Sequence, residues 1–134
     1  MKPLLMLLSA LAAQVYAAEA PKGAEVYIIS PKDGAVVKSP VMVEFGLKGM
    51  GIAPAGTDKA NTGHHHLLIN VKEEPKSGQP IPADAQHLHF GGGQTQTTLN
   101  LEKGTYSLQL NLGDMHHIPF EPPLVSPKIT IEVQ

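Results

Sequence analysis

Thr95 to Leu112, T-Q-T-T-L-N-L-E-K-G-T-Y-S-L-Q-L-N-L, reads as two strands around a turn. Tyr106, Leu108, Leu110 and Leu112 fall in phase at period 2, which is the spacing of one face of a half-buried strand. Glu102-Lys103-Gly104 is a tight turn between the two runs, so the expectation is a hairpin. The same pattern recurs on both sides. Glu25 to Ser30 (E-V-Y-I-I-S) is β-branched and aromatic and ends at the turn Pro31-Lys32-Asp33-Gly34. Ala35 to Lys38 is a short second strand, stopped by Ser39-Pro40. Val41, Val43, Phe45 and Leu47 alternate, as do His65, Leu67, Ile69 and Val71, and Lys128 to Val133 closes the series. These about seven strands, with frequent turn signals and no helical periodicity, define an all-β chain. The expected architecture is an immunoglobulin-like antiparallel β-sandwich.

Three long irregular segments interrupt the strands: Gly49 to Gly63, Glu73 to Gly93 and Gly113 to Pro127, each rich in glycine or proline. Loops of this length on a rigid sandwich are where binding sites usually sit. All seven histidines lie in or beside them, as His64-His65-His66, His87-x-His89 and His116-His117. If the chain alternates between the two ends of the sandwich, all three clusters come to one pole.

Composition limits the alternatives. A chain of 134 residues with 42% hydrophobic and 16% charged residues fits one soluble domain. M-K-P-L-L-M-L-L-S-A-L-A-A-Q-V-Y-A has one cation, a short apolar run and small residues before Ala17 or Ala18, so residues 1–17 read as a secretory signal peptide. Residues 18–134 are then the mature domain, expected in the periplasm with no membrane insertion once the signal is removed. The whole chain carries 10 basic and 12 acidic residues; cleavage removes Lys2 and no acid, which leaves a net charge of −3 with neutral histidines. An acidic domain is a poor match for nucleic acid or an anionic membrane. Cysteine is absent, which removes disulfides, thiolate catalysis and cysteine-ligated metal sites. A bound metal would be held by nitrogen, oxygen or thioether.

Clustered imidazoles supply such nitrogens. In an extended segment, residues i and i+2 share a face about 7 Å apart, so His64 with His66, or His87 with His89, can chelate one ion. One such pair with an imidazole from another segment completes a three-nitrogen site of the kind used by copper and catalytic zinc. His116, His117 and Met115 are further candidate ligands, a thioether being selective for Cu(I), and Met50 lies in an equivalent loop. Asp114 is a candidate ligand or an acceptor that orients an imidazole. Plainer roles compete with these. His65 shares the face of Leu67 and Ile69 and reads as a hydrogen-bonded core histidine. Met50 and Met115 serve equally as loop packing, Asp114 as a turn former, and Gly91-Gly92-Gly93 as a point of close backbone approach rather than a phosphate cradle.

The segments G-H-H-H-L-L-I-N (63–70), H-L-H-F-G-G-G-Q-T (87–95), L-Q-L-N-L-G-D (108–114) and H-I-P-F-E-P-P-L-V-S (117–126) resemble the DUF4399 family of small secreted bacterial proteins. The resemblance covers most of the chain after about Gly63. It implies a periplasmic single-domain β protein with a shared site at His64, His66, His87, His89 and His117. The family often carries histidine where this chain has Phe120, so that position offers no ligand here.

The functional expectation is a periplasmic metal-binding protein, storing or delivering copper as Cu(I) or Cu(II), with zinc as the alternative ion. Its partners would be the ion and another periplasmic metalloprotein. Two other classes stand beside it. A metalloenzyme, either a copper oxidoreductase or a zinc hydrolase, would show an open coordination position and a carboxylate such as Asp114 or Glu121 in reach. A metal-free interaction module would respond to pH through imidazoles that charge together.

Overall fold

A computed structural model describes residues 16–134. The expected signal peptide therefore lies outside the described residues, except for Tyr16 and Ala17. Nine strands are present among the described residues: β1 Glu25–Ser30, β2 Val36–Val37, β3 Val41–Lys48, β4 Gly51–Ile52, β5 Thr62–Ile69, β6 His87–His89, β7 Gln96–Leu99, β8 Gly104–Gly113 and β9 Ile129–Val133. They form a small sheet in the order β1-β3-β7 and a larger one in the order β2-β9-β8-β5-β4, with β6 also paired to β5. The chain is an all-β sandwich. The two strands beyond the expected set, β4 and β6, are two- and three-residue pieces inside the long loops, too short for any periodicity to mark.

Leu67 and Ile69 of β5, Leu108, Leu110 and Leu112 of β8, and Ile129, Ile131 and Val133 of β9 point from the larger sheet into the core. Val41, Val43 and Phe45 of β3, with Val26 and Leu99, meet them from the smaller sheet. Burying each such side chain contributes on the order of 1.5–3 kcal/mol, and alternation along the strands keeps the set on one side.

The expected hairpin is corrected. β7 pairs only with β3, through Val41↔Leu99 to Glu44↔Gln96, while β8 pairs with β5 and β9. The Glu102-Lys103-Gly104 turn thus carries the chain from one sheet to the other, closed by Tyr106 Oη donating to the Glu102 carbonyl at 2.8 Å. A three-residue reversal serves either purpose, and the choice is made by distant partners. The histidine segments still converge, for a different reason: β6 and β8 flank β5 in one sheet, with His66 opposite both His89 and Asn111, and His64 opposite Gly113.

The outer face of the larger sheet is unusual at this end. His64, His66 and Leu68 of β5 and Gln109 and Asn111 of β8 point away from the core, yet all five are buried. Pro80, Ile81 and Ala83 lie with His66, His89 and His117 on this face, where Ile81 N–H donates to the His117 carbonyl at 2.7 Å, while Gln109 Nε2 donates to the Ser126 carbonyl at 3.0 Å.

Candidate metal centre

His64 and His66 project from the outer face of β5 because they are two residues apart, and His89 stands beside them on β6. His117 comes from the turn that follows β8. That turn is built by Asp114, whose Oδ1 accepts from the His116 N–H at 2.8 Å and the Ile118 N–H at 3.0 Å. The backbone adds His117 N–H to the Asp114 carbonyl and Asp114 N–H to the Ile118 carbonyl, both at 2.9 Å. His117 is held at φ 64°, a left-handed conformation that costs a non-glycine residue about 1–2 kcal/mol. The hydrogen bonds of the turn hold it there and aim its ring at the cluster.

Ligand nitrogens of His64, His66, His89 and His117 all lie within 4.8 Å of one another. His64 Nε2 and His117 Nδ1 are 3.0 Å apart, one donating and the other accepting according to tautomer. The ring centroids are separated by 4.6 Å (His89–His117), 4.8 Å (His64–His66), 4.9 Å (His64–His117), 5.0 Å (His64–His89), 5.1 Å (His66–His89) and 5.9 Å (His66–His117).

Those six lengths fix the shape. Four coplanar points must include one separation about 1.4 times the shortest, roughly 6.5 Å here, as a square-planar ion would impose. The longest observed is 5.9 Å, so the rings are not coplanar. An imidazole centroid lies about 1.1 Å behind its ligand nitrogen, and a tetrahedral ion takes that nitrogen at about 2.0–2.1 Å, which puts neighbouring centroids about 5.2 Å apart. The observed centroid separations bracket that value, while the ligand nitrogens spread to 4.8 Å, wider than the roughly 3.3 Å such an ion imposes, so the rings must draw in to hold it.

The protonation state also suits a cation. Burial, with the nearby His117 and His89 rings, lowers His64 from 6.5 to about 4. Burial, with the rings of His64, His89 and His117, lowers His66 to about 3, and His89 is lowered by burial and His117. Neutral imidazole is the form that ligates. His64 Nδ1 and His66 Nδ1 are buried without a hydrogen-bond partner. Such atoms cost about 1–3 kcal/mol each and call for an explanation such as a bound ion.

Two glycines make room for the rings. A Cβ at Gly113 would fall 2.7 Å from His66 Cε1, and one at Gly91 would fall 2.3 Å from His89 Cε1. The close approach expected at the glycine triplet is therefore to a ring of the site. Nothing in the sequence marked Gly113 beyond its place before Asp114.

The remaining candidates lie elsewhere. His87 turns to Asp84, with Nδ1 2.8 Å from Oδ1, and the same oxygen accepts from the Gln86 and His87 N–H groups. His116 and Met115 line a different cavity, with Thr57 to Thr62 and Phe120. Met50 packs against the core. His65 is on the core side as expected, its ring 5.1 Å from that of Phe45, but neither ring nitrogen has a hydrogen-bond partner. The hydrogen bonding expected for it is corrected, because β5 presents it to an apolar interior. Asp114 serves as the turn former.

Fold and site together define a β-sandwich carrying a close group of four imidazoles that could hold a metal ion. The family described as a domain of unknown function (DUF4399) matches residues 43–134, and the chain belongs to that family. The match begins earlier than the segments that carry the resemblance. No curated protein and no solved structure matches the chain.

Proposed function

We propose that this protein is a periplasmic copper-binding protein that stores or delivers the ion through His64, His66, His89 and His117. The observation that carries the reading is the close set of four imidazoles with non-coplanar ring centroids, drawn from three chain segments and partly stripped of other hydrogen-bond partners. Copper is preferred to zinc because imidazole suits copper and an exported protein meets copper outside the cytosol. The signal-like residues 1–17 support export, and the absence of cysteine leaves the imidazoles as the strong ligands.

Carrier is preferred to enzyme on the same geometry. The group consists of four histidines with no carboxylate in it, and Asp114 Oδ1 is already committed to two backbone N–H groups. His89 is the one exposed member, and His66, His89 and His117 line a cavity of about 190 Å³ rimmed by Pro80, Ile81 and Ala83. That opening gives an ion a path in and out while the other ligands stay fixed.

The test is a titration of metal-free protein with copper and with zinc against competing chelators, beside a His89→Ala/His117→Ala variant. One ion per chain, lost in the variant with the fold intact by circular dichroism, is the expected result. Binding no tighter than scattered surface histidines provide would overturn the proposal.

A further inference from the structure

The cluster has a shape and a charge, and together these select an oxidation state. Cu(II) prefers a tetragonal, near-planar ligand set, whereas the ring centroids exclude a plane. His64 and His66, both about 1% exposed, are fixed by β5 and by the contact of His66 with Gly113, so reaching one falls to the exposed His89 swinging away from where the structure holds it. Charge acts in the same direction. All four ligands are imidazoles and no carboxylate belongs to the group, the buried Asp114 acting on His64 from outside it. The cost of desolvating an ion rises with the square of its charge, so a buried site without an anionic ligand penalises a dication far more than a monocation.

We infer that the site is selective for monovalent copper, holding Cu(I) in preference to both Cu(II) and Zn(II). This deepens the proposed function and rests on it. Zn(II) shares the tetrahedral preference, so charge alone acts against it, whereas geometry and charge act together against Cu(II). The protein then accepts copper only where a reductant has already formed Cu(I), and a partner that takes the ion receives it reduced.

The experiment measures dissociation constants for Cu(I) under anaerobic conditions, for Cu(II) and for Zn(II), each against a chelator of known affinity for that ion. The Cu(I) constant is expected to lie at least ~100-fold below the Cu(II) constant. At about 59 mV per tenfold, that raises the potential of bound copper about 120 mV above the free-ion couple. One equivalent of Zn(II) is expected to leave Cu(I)-loaded protein unchanged. The His89→Asp variant places an anionic, harder donor at the exposed ligand, and both properties favour a dication; it is expected to lower the Cu(I) preference at least ~10-fold. Equal or tighter binding of Cu(II) or Zn(II) by the wild type would overturn the selectivity and leave the metal site standing. Failure of all three ions to bind would overturn both.

Discussion

Gly113 lies beneath the imidazole of His66, so close that a Cβ on the glycine would sit 2.7 Å from Cε1 and 3.1 Å from Nδ1. His66 is buried and its strand is paired on both edges, by β6 and by β8, so its ring has nowhere to retreat. Gly113→Ala is expected to weaken copper binding at least ~10-fold and to cost about 1–3 kcal/mol of stability through overpacking. Gly91→Ala makes the informative contrast. Its Cβ would meet the ring of His89, which is exposed and free to swing outward. That variant is expected to lose affinity with a thermal midpoint close to wild type. Paired metal titrations and thermal melts check both, and unchanged affinity in both would mean that neither ring is needed where the structure holds it.

Acid should unfold the metal-free protein unusually early. Burial lowers His64 and His65 to about 4 and His66 to about 3, against 6.5 in the unfolded chain. Above pH 6.5 both states are neutral and stability is at its full value. Below it the unfolded chain takes up protons that the folded chain refuses, so stability falls with falling pH down to the folded values. Each group contributes a slope of about 1.4 kcal/mol per pH unit, and three together about 4 kcal/mol per unit, against a total of about 5–15 kcal/mol for a typical domain. The expected result is a melting temperature that is flat from pH 8 to 7 and drops steeply between pH 6 and 4. Bound copper, which requires the neutral rings, should shift the drop to lower pH. A melting temperature unchanged down to pH 4.5 without metal would contradict the burial of these rings.

Much of this molecule was readable from local pattern. Glu25–Ser30 matches its strand residue for residue, and the alternation of His65, Leu67 and Ile69 against His64 and His66 assigned the two faces of β5 correctly. Partner choice was not local. The Glu102-Lys103-Gly104 turn permits a hairpin or a crossing between sheets, and only the pairing of β7 with β3 decides it. The site was legible as three histidine clusters but not as four particular rings. His87 was separated from His89 by Asp84, three residues upstream, whose carboxylate caps the turn and takes the ring. His117 was separated from His116 by a left-handed backbone angle that histidine does not announce.

Asp114 should act on the metal chiefly by placing His117, with its charge felt at His64. Its Oδ1 holds the His116 and Ile118 N–H groups, and the turn so formed keeps His117 at φ 64°. Asp114→Ala removes both acceptor contacts and is expected to cost about 1–2 kcal/mol and to weaken copper binding. Asp114→Asn keeps an oxygen acceptor in the same place and should restore most of the affinity. Both are read by chemical denaturation and by the copper titration. If Asn fails as badly as Ala, the carboxylate charge matters directly and Asp114 is more than a turn former.

His65 supplies the control within the same triplet. It is fully buried beside Phe45 and Phe90, and neither of its ring nitrogens has a hydrogen-bond partner. An unpaired polar atom in an apolar interior costs about 1–3 kcal/mol, and an apolar side chain of similar size removes that cost. His65→Leu is therefore expected to raise stability at neutral pH by about 1 kcal/mol, or roughly 3–5 °C in thermal midpoint. The gain should widen below pH 6.5, because one of the three rings that resist protonation is gone. Copper affinity should stay within about twofold of wild type, since the ring lies on the opposite face of β5 from His64 and His66. Loss of copper binding in this variant, with the fold intact, would show that the core-facing imidazole takes part in the site and that the division of the triplet into two faces is wrong.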